Sequence, residues 1–236
     1  MNRHFCLRQR GADLLPVMEV ISGMRQTTAL LITAFCSLTS AVSADDFRDD
    51  FSDARFNGRQ AERGEWVFRN RTASCVADPE LYGKFKNHGP ILKWPHEFRD
   101  GIISFEMRAR RCQRVVFTLN GDGHIFRVTL ADETASAPAG PSKVPTRLIA
   151  WATKSSKQNK GDTIRPAGLP DLPAVNGRWV KVMLSVKGQQ ATLNIGDYQT
   201  KIDHAALGRD RNQVLLTFAY GQLEVRNFRL TTSARQ

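Results

Sequence analysis

Residues 98–130 read FRDGIISFEMRARRCQRVVFTLNGDGHIFRVTL, and their side chains alternate between apolar and polar with period two. Ile103, Phe105, Met107 and Ala109 fall on one side; Ser104, Glu106, Arg108 and Arg110 fall on the other. A helix would scatter those apolar residues around its whole circumference, whereas a strand lines them up on a single face. A half-buried strand is the regular structure that uses this pattern. Asn120-Gly121-Asp122-Gly123 follows, a run that tolerates the positive φ of a tight hairpin. The segment therefore reads as three consecutive antiparallel strands and sets an all-β fold class.

Strand signals continue on both sides. Short apolar or alternating runs cover residues 65–69, 73–76, 91–94, 147–153, 179–187, 191–195, 214–219 and 223–230. Lys187-Gly188, Gly196-Asp197 and Tyr220-Gly221-Gln222 separate them as turns. Only residues 203–208, with an Asp at the start and a Gly at the stop, read as helical, and then for one turn. Many short strands with almost no helix predict a sandwich or a barrel. Residues 131–145 and 154–176 break the rhythm with Pro, Gly, Ser and Lys, and are expected to be exposed loops.

The amino terminus predicts an address. From Met24 the chain reads MRQTTALLITAFCSLTSAVSA: a positive start at Arg25, an apolar core over 29–36, and small residues at Val42-Ser43-Ala44. That is a secretory signal with cleavage expected after Ala44. The apolar run is well short of the roughly 20 residues that span a bilayer. Export to the periplasm or the extracellular space is expected, with residues 45–236 as one mature domain that carries no integral membrane segment. Met24, with Met18 as the alternative, is the expected start. Residues 1–44 hold four Lys or Arg and two Asp or Glu of the chain's 34 and 23, so the mature part keeps 30 and 21. The surplus of nine positive charges favours anionic surfaces or polymers. Cleavage also leaves Cys75 and Cys112 as the mature cysteines, and an oxidising compartment makes a disulfide between them a natural expectation.

Several segments, in order, resemble a known group: Asp46-Phe47 and Asp50-Phe51-Ser52, Gly64-Glu65-Trp66, residues 98–105, Gly177-Arg178-Trp179-Val180, and Val225-Arg226-Asn227-Phe228-Arg229-Leu230. Together they are similar to concanavalin-A-like or LamG-type sandwiches, and most to exported bacterial domains of the 3-keto-disaccharide hydrolase, family-16-hydrolase-like group. The resemblance implies a two-sheet antiparallel jelly roll with the strand near Phe51 beside the strand near Phe228. It also implies a carbohydrate-related role. Two catalytic marks of those relatives are missing: no Glu-x-Asp-x-x-Glu strand occurs, and Arg114-Val115-Val116-Phe117 stands where the closer group has Asn-Ser-Gly.

A retaining glycosidase needs two carboxyls about 5–5.5 Å apart, and the strongest strand offers Glu106 alone on its polar face. No phosphate loop, nucleophile elbow, His-Glu-x-x-His or Cys-x-x-Cys occurs, so no cofactor or metal is implied. Trp66 and Trp179 are expected in the core, while Trp94 and Trp151 lie beside loop signals and are candidates to stack on a sugar ring. The remaining candidate site is the polar face of the 102–130 meander, where Glu106, Arg108, Arg127 and His124 would gather across paired strands. That face reads in two ways: a cationic surface that holds a glycan hydroxyl, carboxylate or sulfate, or a solvated face whose arginines pair with Glu106. A non-catalytic glycan or anionic-polysaccharide binder is the expected function, and a glycoside hydrolase-like enzyme is the alternative. Nucleic acid is not an expected partner, because no exposed aromatic repeat lines a basic groove.

Overall fold

The computed structural model describes residues 45–86, 88–131, 147–151, 163–164, 167–175 and 177–233; strands 147–151 and 163–164 are described by backbone alone. The expected signal segment, residues 1–44, lies outside the described residues, as does much of both expected loops. No helix among the described residues is long and apolar enough to cross a membrane.

In chain order the strands begin with β1 (Asp45–Asp49), β2 (Gln60–Glu62), β3 (Val67–Arg69), β4 (Thr72–Val76) and β5 (Ile91–Phe98). There follow β6 (Gly101–Arg110), β7 (Arg114–Gly121), β8 (Gly123–Leu130), β9 (Arg147–Trp151) and β10 (Thr163–Ile164). The last five are β11 (Trp179–Lys187), β12 (Gln190–Ile195), β13 (Tyr198–Asp203), β14 (Arg211–Ala219) and β15 (Gln222–Thr232). Sheet A runs β13-β12-β11-β6-β15-β4-β3, with β1 paired to the far half of β15; sheet B runs β10-β9-β8-β7-β14-β5-β2. The first strand does lie against the last, as Asp49 opposes Phe228 and Phe47 opposes Leu230.

The inner faces of the two sheets make the core. Ile103, Phe105, Met107 and Ala109 of β6 are buried, while Ser104, Glu106 and Arg108 between them face outward. Trp94 of β5 is fully buried and stacks on Phe228 of β15, with ring centroids 3.8 Å apart and planes 4° from parallel. Trp94 is therefore a core residue and not a sugar platform. Trp66 packs against the core edge-on to Phe218, as expected. Trp179 instead lies half-buried on the outside of sheet A.

The three strands expected over 98–130 all form, but only β7 and β8 pair with each other. β6 lies in sheet A and the other two in sheet B, so Phe105 meets Phe117 across the core at 5.4 Å. The chain changes sheet at Arg110-Arg111-Cys112-Gln113, where Arg111 takes φ +56°. The return crossing, Tyr220-Gly221, rests on that corner: a Cβ on Gly221 would stand 2.2 Å from the Arg110 carbonyl oxygen. Gly221, at φ +65°, is the residue that lets the two corners touch.

The disulfide is not formed. Cys75 and Cys112 are both buried thiols, and they lie on opposite flanks of β15. Cys75 opposes Leu223 from β4; Cys112 follows β6, whose Ala109 opposes Leu223 from the other side. Two strand spacings, roughly 9–10 Å, separate β4 from β6, beyond the roughly 7 Å that a bridge can span. Cys112 Sγ donates to the Gln222 carbonyl at 3.2 Å, and burial, with Glu65 nearby, pushes the Cys75 thiol up to about 12.

One α-helix, α1 (Pro79–Lys84), was not expected. Its signal was local: Asp78 caps it by accepting from the amides of Glu80 and Leu81, and proline takes the first turn. The helical turn expected over 203–208 is a 3₁₀ turn at Ala205–Gly208, capped by His204 through its Nδ1.

Candidate functional site

The sandwich has two outer faces, and the residues expected to gather on one are divided between them. Glu106 and Arg108 stand on sheet A, while His124 and Arg127 stand on sheet B, with the core between. The juxtaposition fails because alternation records which side of its own sheet a residue faces, not which sheet the strand joins. Trp151 ends β9 as the register partner of Thr163, and its side chain lies outside the described residues.

On sheet A the arginines and carboxylates answer one another. Arg108 donates Nε and Nη2 to the two oxygens of Glu224 at 2.6 and 2.7 Å. Arg226 donates to Glu106 Oε2 at 2.6 Å, and Asn227 donates Nδ2 to Oε1 at 2.8 Å. Asn227, at φ +56°, occupies a bulge in β15 that aims it at Glu106. Trp179 completes the cluster, its ring 4.9 Å from the Arg108 guanidinium and 4.2 Å from that of Arg226. Hydrogen bonds from Arg226 and Asn227 pull the Glu106 carboxyl below its usual range, and Arg108 does the same to Glu224. Glu106 is thus an ionised partner of arginine. The solvated-face reading describes this side of the molecule.

Sheet B carries a cleft of about 490 Å³, which continues into a shallower arm of about 820 Å³ through shared walls at His124 and Gln213. The trough crosses β5, β14, β7 and β8, and register orders its floor in rows. Lys93, Leu215, Thr118 and Arg127 form one row. Ile91, Thr217, Val116 and Thr129 form the next, and Pro95, Gln213, Asn120 and His124 form the row on the other side. These outward residues interleave with Leu92, Trp94, Phe117, Leu119, Val214 and Leu216, all buried in the core.

A chain of hydrogen bonds joins the strands. Arg127 Nη2 donates to His124 Nε2 at 3.3 Å, His124 Nδ1 donates to Asn120 Oδ1 at 2.8 Å, and Asn120 Nδ2 donates to Gln213 Oε1 at 3.4 Å. The chain closes with the imidazole neutral, and burial together with Arg127 lowers the His124 pKa in that direction. Arg114 donates Nη2 to the Tyr82 hydroxyl at 2.9 Å, and Lys93 donates to Glu62 Oε1 at 2.6 Å. Several polar groups thus converge on a trough above an apolar sandwich, the usual form of a small-molecule or sugar site.

Lys93, Arg114, Asn120 and Gln213 were not among the expected site residues. The available signal was weak but present: each is a polar member of an alternating strand, in one of the three strands that follow that of His124 across the sheet. Among the described residues, no group of three or more His, Cys, Asp or Glu side chains is placed to hold a metal ion.

No protein-family model and no curated protein matches this chain. Solved structures do match its fold. The CBM2 module of the evolved Dit of Lactobacillus casei phage J-1 aligns at 10% identity over 82% of this chain and 97% of that one, with a TM-score of 0.56. LamA of Z. galactanivorans, solved in complex with laminaritriose and laminaritetraose, aligns at 10% identity over 79% and 98% of the two chains, with a TM-score of 0.51. A sialidase aligns at 8% identity over 79% of this chain and 18% of its own, with a TM-score of 0.52. At such identities the likeness is one of fold. The chain has a concanavalin-A-like, antiparallel jelly-roll β-sandwich, and the narrower likeness to 3-keto-disaccharide hydrolase domains rests on sequence segments alone.

Proposed function

We propose that this chain is an exported glycan-binding protein whose ligand lies along the outer face of sheet B. One observation carries the reading: three register rows across β5, β14, β7 and β8 place amides, hydroxyls and cations along a continuous trough. A sugar chain presents hydroxyls along its whole length, and such a ladder of donors and acceptors suits it. LamA, with the same fold, was solved with laminari-oligosaccharides, which supports a sugar as the ligand class. Hydrolysis has less support, because Glu97 is the sole carboxylate among the described residues lining either arm, and cleavage by the usual route takes two.

Titration of the purified protein against an oligosaccharide panel tests the reading. Gln213→Ala and Arg127→Ala should each weaken binding about tenfold, near 1.4 kcal/mol, while Arg108→Ala on sheet A binds like the parent. Binding lost in Arg108→Ala and kept in the trough variants would move the site to the other face. For export, amino-terminal sequencing of the protein recovered outside the cytoplasm should begin at Asp45, and an intact leader there would sink that part of the proposal.

A further inference from the structure

We infer that Thr118 and Thr129, at the floor of the deeper arm, set the specificity of the trough by hydrogen-bonding the hydroxyls of one neutral sugar unit. The inference rests on the glycan reading above and adds to it which groups tell one sugar from another.

β7 turns Val115, Phe117 and Leu119 into the core, and Thr118 faces the other way. Thr129 does the same on β8, beside the buried Val128 and Leu130. Both threonines line the deeper arm, yet they are only 3% and 2% exposed, so they stand at its floor and not on its rim. Register sets them on a diagonal: Thr118 opposes Arg127, and Thr129 opposes Val116 two residues further along the same strands. Positions so related are roughly 7–8 Å apart. Among the described residues, neither hydroxyl has a hydrogen-bond partner. Thr217 makes the contrast. It lines the same arm, but its hydroxyl donates to the Pro90 carbonyl at 2.7 Å.

A shielded hydroxyl is costly to leave unanswered, and it both donates and accepts. Whatever occupies the arm must therefore answer Thr118 and Thr129, and a sugar hydroxyl does so in either direction. The surroundings are aliphatic: Val116 lies between Thr217 and Thr129 in one row, and Leu215 lies beside Thr118 in the next. Hydroxyls set among aliphatic side chains suit a pyranose, with its C–H faces and hydroxyl-bearing edge. This contact calls for no charge on the ligand. The amide row is differently placed, because Asn120 already accepts from His124 and donates to Gln213. Buried polar groups reserved for a ligand hydroxyl discriminate sharply against a ligand that lacks it. The two threonines meet that condition.

The test compares four neutral probes: laminarihexaose, cellohexaose, mannohexaose and xylohexaose, each titrated calorimetrically into the purified full chain. Thr118→Val and Thr129→Val keep the shape and remove the oxygen. Each should weaken the tightest of the four about fivefold and narrow the spread among those that bind. Thr118→Ser, which restores the oxygen, should bind like the parent, and Gln213→Ala should weaken every binder alike. Melting temperatures separate recognition from folding. The two valine variants should melt at or above the parent, since no hydrogen bond within the protein is lost, whereas Thr217→Val should melt lower. Unchanged affinity and spread in both valine variants would overturn the inference and leave the glycan reading standing. So would lower melting in both, which would show that the hydroxyls serve the fold. If none of the four binds, the inference falls; binding to oligogalacturonate would then keep the glycan reading, and binding to neither would overturn both.

Discussion

Asp49 ends β1 inside the sandwich, where three donors make four hydrogen bonds to its carboxylate. Arg59 Nη1 reaches both oxygens at 2.6 and 2.8 Å, Trp94 Nε1 reaches one at 2.9 Å, and the Phe51 amide reaches the other at 3.1 Å. The Arg59 and Asp49 side chains are 1% and 2% exposed. The Arg59 guanidinium also lies over the Phe68 ring at 3.9 Å, so it cannot swing to water without opening the core. Asp49→Ala should therefore cost about 3–5 kcal/mol by urea unfolding, since it strands a buried cation; a cost below about 1 kcal/mol would show that Arg59 finds water. Asp46, at the open end of the same strand, behaves differently. Hydrogen bonds from Arg229, then Arg48, hold its carboxyl at about 2. Its folded pKa is below the unfolded one, so its contribution is present above the ordinary carboxylate range and fades as pH falls toward 2. Carboxyl NMR should find that midpoint, and Arg229→Ala should move it upward. The buried partnership of Asp49 with Trp94 was not legible in the sequence, because 45 positions separate the two and no local pattern links them.

Strands were the most legible level. β11 occupies residues 179–187, the range its alternation predicts, because a strand with one wet face shows its period openly. β5 runs on past Trp94 through Pro95, which opposes Gln213 where the register of β14 shifts, a place where the missing amide hydrogen costs little. β13 was overlooked because its outward residues, Gln199, Lys201 and Asp203, outweigh the buried Thr200 and Ile202. What no strand announces is its sheet. That is settled at corners, and the pair at Arg110-Arg111 and Tyr220-Gly221 decides where β6, β7, β14 and β15 go. Gly221→Ala should destabilise by about 1–3 kcal/mol through positive φ alone, with further loss from the Arg110 carbonyl contact. Equilibrium unfolding checks it, and an unchanged midpoint would mean that the corner relaxes freely. The thiols are tested the same way: under non-reducing denaturation both Cys75 and Cys112 should react with a thiol reagent, and in the native state both should react slowly.

At the scale of the molecule, the sequence pointed to two residues of the candidate trough and missed the others. Arg127 and His124 are in the trough; Glu106 and Arg108 were assigned to the same place because they share a hairpin-like stretch, and the sandwich sends them to the opposite side. The ion pairs of sheet A also predict a pH response. Glu106 and Glu224 have folded pKa values below their unfolded ones, so their stabilisation holds above the ordinary glutamate range and is lost as pH falls through the depressed folded values. Melting temperatures taken from pH 7 down to pH 3 should fall less steeply in Glu106→Gln, and an equal slope would mean that the pairing adds nothing. The arrangement has a practical side as well. Val67, Val76 and Ile102, the exposed large apolar residues among the described residues, all belong to sheet A strands. Packed sheets stand about 10 Å apart, comparable to the distance over which salt screens charge. A tether fixed at Ile102 would thus leave the trough facing outward on a sensor surface, and the trough's charge could be rewritten residue by residue without repacking the side that holds the tether.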